Sequence, residues 1–300
     1  MSDTTPENRP ANRPVHVPVL PREVIEFLDL SSGLTVVDGT VGAGGHSKLI
    51  QELIQPDGRL IGLDRDPMML EHARHKLDGA SARLVRASYI ELQEILAELE
   101  IKAVDRVLLD LGLSSDQLAD DGRGFRFDSD SEIDMRYDVT SGTPASEIIN
   151  RATEQELARI IYEYGEERHS RRIARRIVNH RPVTSAAELA RLVRSAVPRT
   201  SGRERIHPAT RVFQALRIAV NQELDHLATF LERVLPACVR PGGRAVIITF
   251  HSLEDRLVKR AFRDRDQWDN LTKKPLRATA TEQRNNPRSR SAKLRAATKL

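Results

Sequence analysis

The apolar residues of this chain change their period along its length. After Pro21, the stretch PREVIEFLDL places Val24, Phe27 and Leu28 on one face of a helix. LTVVDG, residues 34–39, is a short β-branched run that predicts a buried strand, and HSKLIQELI then turns helical. The alternation repeats: GRLIGLDRDP, ARLVRASY and VDRVLLDLG read as strands, with MMLEHARHKL and IELQEILAELE as helices between them. Strands closed by Gly or Asp and separated by helices predict βαβ units in a mostly parallel sheet. From residue 113 to about 206 no buried strand is apparent. An acidic, glycine-bearing stretch comes first, then SEIINRATEQELARIIYEYGEERHSRRIARRIVNH and SAAELARLVRSAV, both helical in period. A long helical pattern from His207 leads into one more strand, GGRAVIITF. The predicted fold is α/β and Rossmann-like, with a leader over 1–15, an α/β domain over 16–118 and 207–300, and a helical insert over 119–206. The final SAKLRAATKL reads either as an edge strand or as a loose basic arm.

Composition narrows the setting. A chain of 300 residues, 39% hydrophobic and 30% charged, is long enough for a large core. A single cysteine, Cys238, rules out an internal disulfide and a cysteine-rich zinc site. The leader MSDTTPENRPANRPV lacks an apolar signal core, and no apolar run reaches membrane length. The expectation is a cytoplasmic protein with a disordered leader and no membrane partner. A homodimer is among the partner expectations, and the sequence does not set the oligomeric state.

The first strand ends at Asp38, and Gly39, Gly42, Gly44 and Gly45 follow it before the helix opens. In an open α/β sheet, ligands bind beyond the carboxyl ends of the strands. Glycines there let backbone approach the ligand, and the helix N-terminus adds partial positive charge. Asp64 closes the second strand about twenty residues on, where a carboxylate can bond ribose hydroxyls. Asp66, before Pro67, suits a helix cap instead. The loop lacks the Lys-Ser/Thr of a P-loop, and G-x-G-x-x-G fails because its last position would be Ser47. An adenosine-bearing ligand without a pyrophosphate fits better, and S-adenosylmethionine is one.

The blocks HVPVL, VDGTVGAGGHS, GLDRDP, LLDLGLSS, RGFRF, DMR, YGEER, HPATRVFQALRIAVNQEL, GGR and FHSLEDRLVKR occur in this order from His16 to Arg260, and NPRSRSAKLR continues them. In these the chain resembles the bacterial 16S rRNA cytosine-N4 methyltransferases. The resemblance implies a class I methyltransferase fold, S-adenosylmethionine as cofactor, and 16S rRNA or the small ribosomal subunit as partner. It implies that Gly44, Gly45 and His46 border the methionine part, that Asp64 holds the ribose, and that Tyr89 walls the adenine where Phe is common. Asp110 and Gln117 complete the implied cofactor set.

Methyl transfer asks mainly for alignment, which can supply about 7–11 kcal/mol of such a barrier. The exocyclic amine of cytosine is a poor nucleophile because its lone pair is delocalised, so acceptors for its hydrogens are needed. Asp110, at the end of its strand, is the candidate catalytic group. The Pro-Pro-aromatic signature of other amino-methyltransferases is absent. Ser252 with Asp255 reads as a capping-box variant, and His251 as a base or phosphate contact. The acidic DSDSEID lacks the Gly and Glu of an EF-hand loop, so no metal site is expected.

Taken as a helix from Arg168 to Val178, the insert places Arg168, Arg171, Arg172 and Arg175 on one side and Ile173, Ile177 and Val178 on the other. This face is expected to contact RNA phosphates. Phe125 and Phe127 are the candidates to touch a base. Competing readings are DNA amino-methylation, an RNA-binding assembly factor that retains a cofactor fold, and a nicotinamide dehydrogenase. The missing Pro-Pro-aromatic signature, the intact Asp38, Asp64 and Asp110, and the failed dinucleotide spacing weigh against them in turn.

Overall fold

The computed structural model describes residues 17–77, 79, 81–198 and 207–300. The predicted leader lies outside them. The first helix, α1 (Pro21–Leu28), starts at a proline, whose fixed φ suits a first turn. It is followed by β1 (Thr35–Asp38), α2 (Gly45–Ile54), β2 (Arg59–Asp64), α3 (Pro67–Lys76), β3 (Ala82–Arg86), α4 (Leu92–Glu98) and β4 (Val104–Asp110). The helical stretch holds α5 (Ser115–Ala119), α6 (Ala145–Arg151), α7 (Glu154–Gly165), α8 (Ser170–Val178) and α9 (Ala186–Ala196). The chain continues through α10 (Pro208–Asn221), α11 (Glu223–Thr229), a π-helical turn over 230–234, α12 (Leu235–Cys238), β5 (Val239–Thr249), α13 (Ser252–Ala261), β6 (Trp268–Asn270), α14 (Ala280–Asn285) and β7 (Lys293–Lys299).

The seven strands form one sheet in the order β3-β2-β1-β4-β5-β7-β6. β1 to β5 are parallel; β7 is antiparallel to β5, and β6 to β7. This is the Rossmann-like α/β sheet expected from the alternation. Strand parity sorts the side chains into two cores. Val36, Leu60, Leu108, Val246, Ile248 and Leu294 meet α1, α2 and α3 on one face. Val37, Ile61, Val107, Leu109 and Ile247 meet α4, α11 and Phe230 on the other. The carboxyl ends of β1, β2 and β4 (Asp38, Asp64 and Asp110) share one edge of the sheet.

The end of the chain corrects one expectation. SAKLRAATKL is neither an edge strand nor a loose arm. β7 sits between β5 and β6, with Leu294, Ala296 and Ala297 fully buried. Its cations are engaged: Arg295 and Lys293 pair with Asp255 at 2.7 and 3.2 Å, and Lys299 lies 5.4 Å above the Trp268 ring. β6 had no hydrophobic run to announce it.

A third core joins Ile149, Leu157, Ile161, Ile173, Ile177, Leu189 and Val193 of the helical stretch to Ala209, Val212, Phe213 and Leu216 of α10. α10 thus gives an apolar face to the helical layer. Polar contacts tie residues 123–137 to the start of α3, beside β2, and to α10. Arg123 donates to both oxygens of Asp66 at 2.8 and 3.2 Å, the Tyr137 N–H donates to Asn221 at 2.8 Å, and Asn221 donates to the Met135 carbonyl at 2.7 Å.

Candidate functional site

A pocket opens at the carboxyl edge of the sheet, and the glycine loop forms one wall of it. Gly42 has φ +51°, a conformation that L side chains rarely adopt, and its N–H donates to Asp64 Oδ2 at 2.9 Å. The Asp66 N–H donates to the other Asp64 oxygen, also at 2.9 Å. Burial, only partly offset by these two bonds, pushes the Asp64 carboxyl up to about 7. Asp66 is the N-cap of α3, accepting from the Met68 N–H at 3.0 Å, the job its place before proline suggested. Gly45 and His46 begin α2 and line the pocket. Gly44, at φ +76°, faces the backbone of Ala73 across α3, and so serves the entry into α2.

Asp38 is fully buried, and burial raises its carboxyl above the usual range. It accepts from the Ser47 hydroxyl at 2.6 Å and from the Thr40 N–H at 3.2 Å. The Asp110 N–H donates to the Thr40 hydroxyl at 2.7 Å, which aims its side chain past the strand end. Asp110 Oδ2 lies 3.5 Å from His46 Nε2. Both ring nitrogens of His46 and Asp110 Oδ1 are buried with no hydrogen-bond partner among the described residues. Buried polar atoms are seldom left unsatisfied, because each costs about 1–3 kcal/mol. Three such atoms converging on one pocket mark it as built for a polar, partly cationic ligand.

Gln117 also lines the pocket, but both ends of its amide are engaged. Nε2 donates to Asp66 at 2.9 Å, and Oε1 accepts from the Ser114 N–H in a capping box opening α5. Tyr89 follows β3, its ring meeting Phe230 edge-on at 5.1 Å. Burial first, and then Glu223 and Glu254, hold its hydroxyl neutral far above the usual range.

Asp110 is followed by Leu111, Gly112 and Leu113, where the Pro-Pro-aromatic signature would stand. Gly112 has φ +107°, and a Cβ there would meet the Phe250 ring at 3.2 Å. An aromatic therefore does face this loop, supplied from the end of β5. The chain belongs to the MraW methylase family. The family model matches residues 13–300. Among curated relatives, the ribosomal RNA small subunit methyltransferase H of Syntrophotalea carbinolica is 48% identical, covering 95% of this chain and 98% of that protein. The proteins of the same name from Thermotoga neapolitana and Trichormus variabilis are 49% and 50% identical, covering 94% and 95% of this chain and 95% and 92% of their own.

In this MraW-family chain the pocket also draws on residues that the sequence did not single out. Tyr137, Asn221, Glu223, Glu254 and Arg288 line it. Glu223 accepts both bonds of the Arg217 guanidinium at 2.8 Å and the Tyr137 hydroxyl at 2.9 Å. For Asn221, Glu223 and Glu254 the signal was a polar residue in helical sequence; Tyr137 and Arg288 lie outside the α-helices. Arg288 stands in the basic tail of the sequence, yet it reaches the pocket near Asp110 and Asp116. Glu223, His251 and Glu254 bring ligand-capable atoms within 4.8 Å of one another. The carboxylates of this cluster are already engaged by Arg217, Tyr137 and the backbone N–H groups of Phe250 and His251.

His251, not Ser252, caps α13, and its box partner is Glu254, not Asp255. That corrects the reading of FHSLEDR. The His251 Nδ1 accepts the Glu254 N–H at 3.4 Å, while its buried Nε2 lies 3.1 Å from Glu254 Oε1 and makes no hydrogen bond among the described residues. The Ser252 hydroxyl donates to Glu166 at the end of α7, which Arg256 also grips at 2.9 Å. Phe125 is buried against Tyr137 and cannot meet a base in solvent, whereas Phe127 is exposed. On α8, Arg171, Arg172 and Arg175 are exposed and Ile173 and Ile177 buried, while Val178 is half-buried. The helix begins only at Ser170, so Arg168 precedes it. Arg175 donates to Glu154 at 3.2 Å; Arg171 and Arg172 meet no acidic partner among the described residues. No helix among the described residues is long and apolar enough to cross a membrane.

Proposed function

We propose that this chain transfers the methyl group of S-adenosylmethionine to the N4 amine of a cytosine in the decoding region of 16S rRNA, in the cytoplasm, acting on the rRNA or the small ribosomal subunit. The observation that carries this reading is the convergence of unpartnered His46 and Asp110 atoms beside the glycine loop of a MraW-family chain. These residues fit the cofactor. Gly45 and His46 would border its methionine part, with Gly44 shaping the turn behind them, the Asp64 carboxylate would accept from the ribose, and the Tyr89 ring would wall the adenine. Gln117 shapes the pocket by fixing Asp66 and α5. When bound, S-adenosylmethionine supplies an electrophilic methyl group.

Asp110 orients the acceptor. Its free Oδ1 accepts a hydrogen of the amine, turns the lone pair out of conjugation, and takes up the proton that the amine loses. Phe250, across Gly112, offers the target base an aromatic wall. The base must leave its stack to reach this depth. The helical insert serves substrate recognition, with Arg168, Arg171, Arg172 and Arg175 meeting phosphates. The test compares nucleosides of small-subunit rRNA from cells with and without this protein by mass spectrometry. Loss of N4-methylcytidine in its absence, restored by the wild-type gene and not by Asp110→Asn, is the expected result. Identical nucleosides in both would overturn the reading.

A further inference from the structure

On the helical layer, away from the pocket, a groove is lined by Phe127, Ala190, Arg191, Arg194, Ser195 and His207. Phe127 is the only exposed phenylalanine among the described residues, at 37%. Its ring lies parallel to the imidazole of His207, with centroids 5.0 Å apart and planes 7° apart. An edge contact to Phe213, at 6.0 Å and 79°, braces it from below. His207 is itself fixed, because Nδ1 accepts the Ala209 N–H at 3.1 Å as the N-cap of α10. Phe127 thus presents an exposed ring in a fixed orientation beside a half-buried His207, a surface on which a planar group can stack.

The surroundings are cationic. Arg191 and Arg194 stand on α9, and Arg176 of α8 donates to Ser195 at 3.2 Å, so the arginine face of α8 runs on into this groove. Two acids of the flanking segments are engaged: Asp128 by Arg126 at 2.9 Å, and Glu188 by the Thr184 N–H and hydroxyl at 2.9 and 3.1 Å. Stacking rings at the end of a basic strip are the combination that holds single-stranded nucleic acid. The stack is also close to the pocket along the chain. Arg123 is anchored to Asp66 under the pocket wall, and four residues of extended chain span at most about 14 Å.

We propose that the Phe127–His207 stack holds an unpaired base of the RNA strand near the target nucleotide, with Arg191 and the α8 arginines on its phosphates. This rests on the reading of the chain as an RNA methylase. It adds a second base-binding site, outside the pocket where methyl transfer occurs, and it favours single-stranded RNA over duplex.

The test uses the full chain and a fluorescein-labelled oligoadenylate of roughly ten nucleotides, with a blunt RNA duplex as control. Phe127→Leu keeps the apolar contact with Phe213 but removes the stacking face. It should weaken oligoadenylate binding about 5-fold or more, change duplex binding less, and leave S-adenosylmethionine affinity unaltered. Phe127→Trp should retain binding, and the emission it adds to that of buried Trp268 should be quenched by unlabelled oligoadenylate. Equal affinity of Phe127→Leu and wild type for oligoadenylate, or an emission of the Phe127→Trp protein unmoved by saturating RNA, would overturn the proposal. Methyl transfer to rRNA by the wild type is measured separately. If that fails while the Phe127 effects hold, the stack stands as an RNA site and the methylase reading falls; if transfer is intact and Phe127→Leu changes neither binding nor KM for RNA, the stack alone falls.

Discussion

In the proposed function, Asp64 and Asp110 would divide the work of the pocket by environment. Asp64 is a buried carboxyl raised to about 7, and its ionised form is the stronger acceptor for ribose hydroxyls. Its folded value lies above the unfolded one, so as pH rises from about 4 through about 7 its ionisation costs the native state stability. Cofactor that favours the ionised form must then release a proton on binding. Calorimetry near pH 6.5 in two buffers of different ionisation enthalpy should detect that proton with wild type and not with Asp64→Asn; buffer-independent heats in both would contradict the assignment. Asp64→Ala should cost about 1.5–3 kcal/mol of cofactor affinity. Asp110 is different: its Oδ1 makes no hydrogen bond among the described residues, and the proposed function gives that oxygen to the acceptor amine. Asp110→Asn should lower the single-turnover rate by roughly 10²-fold or more with cofactor saturating. Recovery of the rate at high cofactor would reduce Asp110 to a binding role.

At the scale of elements, two segments carry charge to opposite ends. α8 has four arginines and no acid, with its isoleucines buried, so its outer face is built from sequence period alone. Because Arg175 is paired with Glu154, the informative substitution is Arg171→Ala with Arg172→Ala. RNA affinity should fall and the slope of log K against log salt should flatten by about 0.7–0.9 per lost contact, with unfolding stability within about 0.5 kcal/mol of wild type. A parent-like slope across a salt titration would leave the face as solvated surface. β7 spends its cations inward, on Asp255. Leu294→Ala, at a fully buried position between β5 and β6, should cost about 2–5 kcal/mol, read from the denaturant midpoint.

For the whole molecule, polar ties join residues 123–137 to the start of α3, beside β2, and to α10. Asp66 alone caps α3, pairs with Arg123 and holds Gln117. Asp66→Ala leaves the Arg123 charge buried without its main partner, so a loss of about 3–5 kcal/mol is expected. Trp268 fluorescence reports the sheet and far-UV dichroism is dominated by the helices. If the layers unfold together, both signals should move to the same lower midpoint in Asp66→Ala. A dichroism transition that separates from the fluorescence one would mean the layers are thermodynamically independent.

The period of the apolar residues determined the parallel strands, because side chains buried on both faces of a sheet leave a continuous hydrophobic run that no distant contact alters. Glycine spacing and strand-end acids likewise marked the pocket through Asp38, Asp64 and Asp110, since each needs only its local backbone position. The sequence FHSLEDR does not distinguish His251 from Ser252 as the cap of α13, because the two offer similar local chemistry and only the path of the chain decides. Arg288, Glu223 and Tyr137 became legible only in three dimensions, as they reach the pocket from segments far apart in the chain. The place of β7 could not be read from its residues, because a strand's neighbours are set by long-range pairing. The same pairing turned a basic tail into the interior of the sheet: burial of Leu294, Ala296 and Ala297, with Asp255 ready to neutralise Lys293 and Arg295, outweighed the solvation its charges would have had outside.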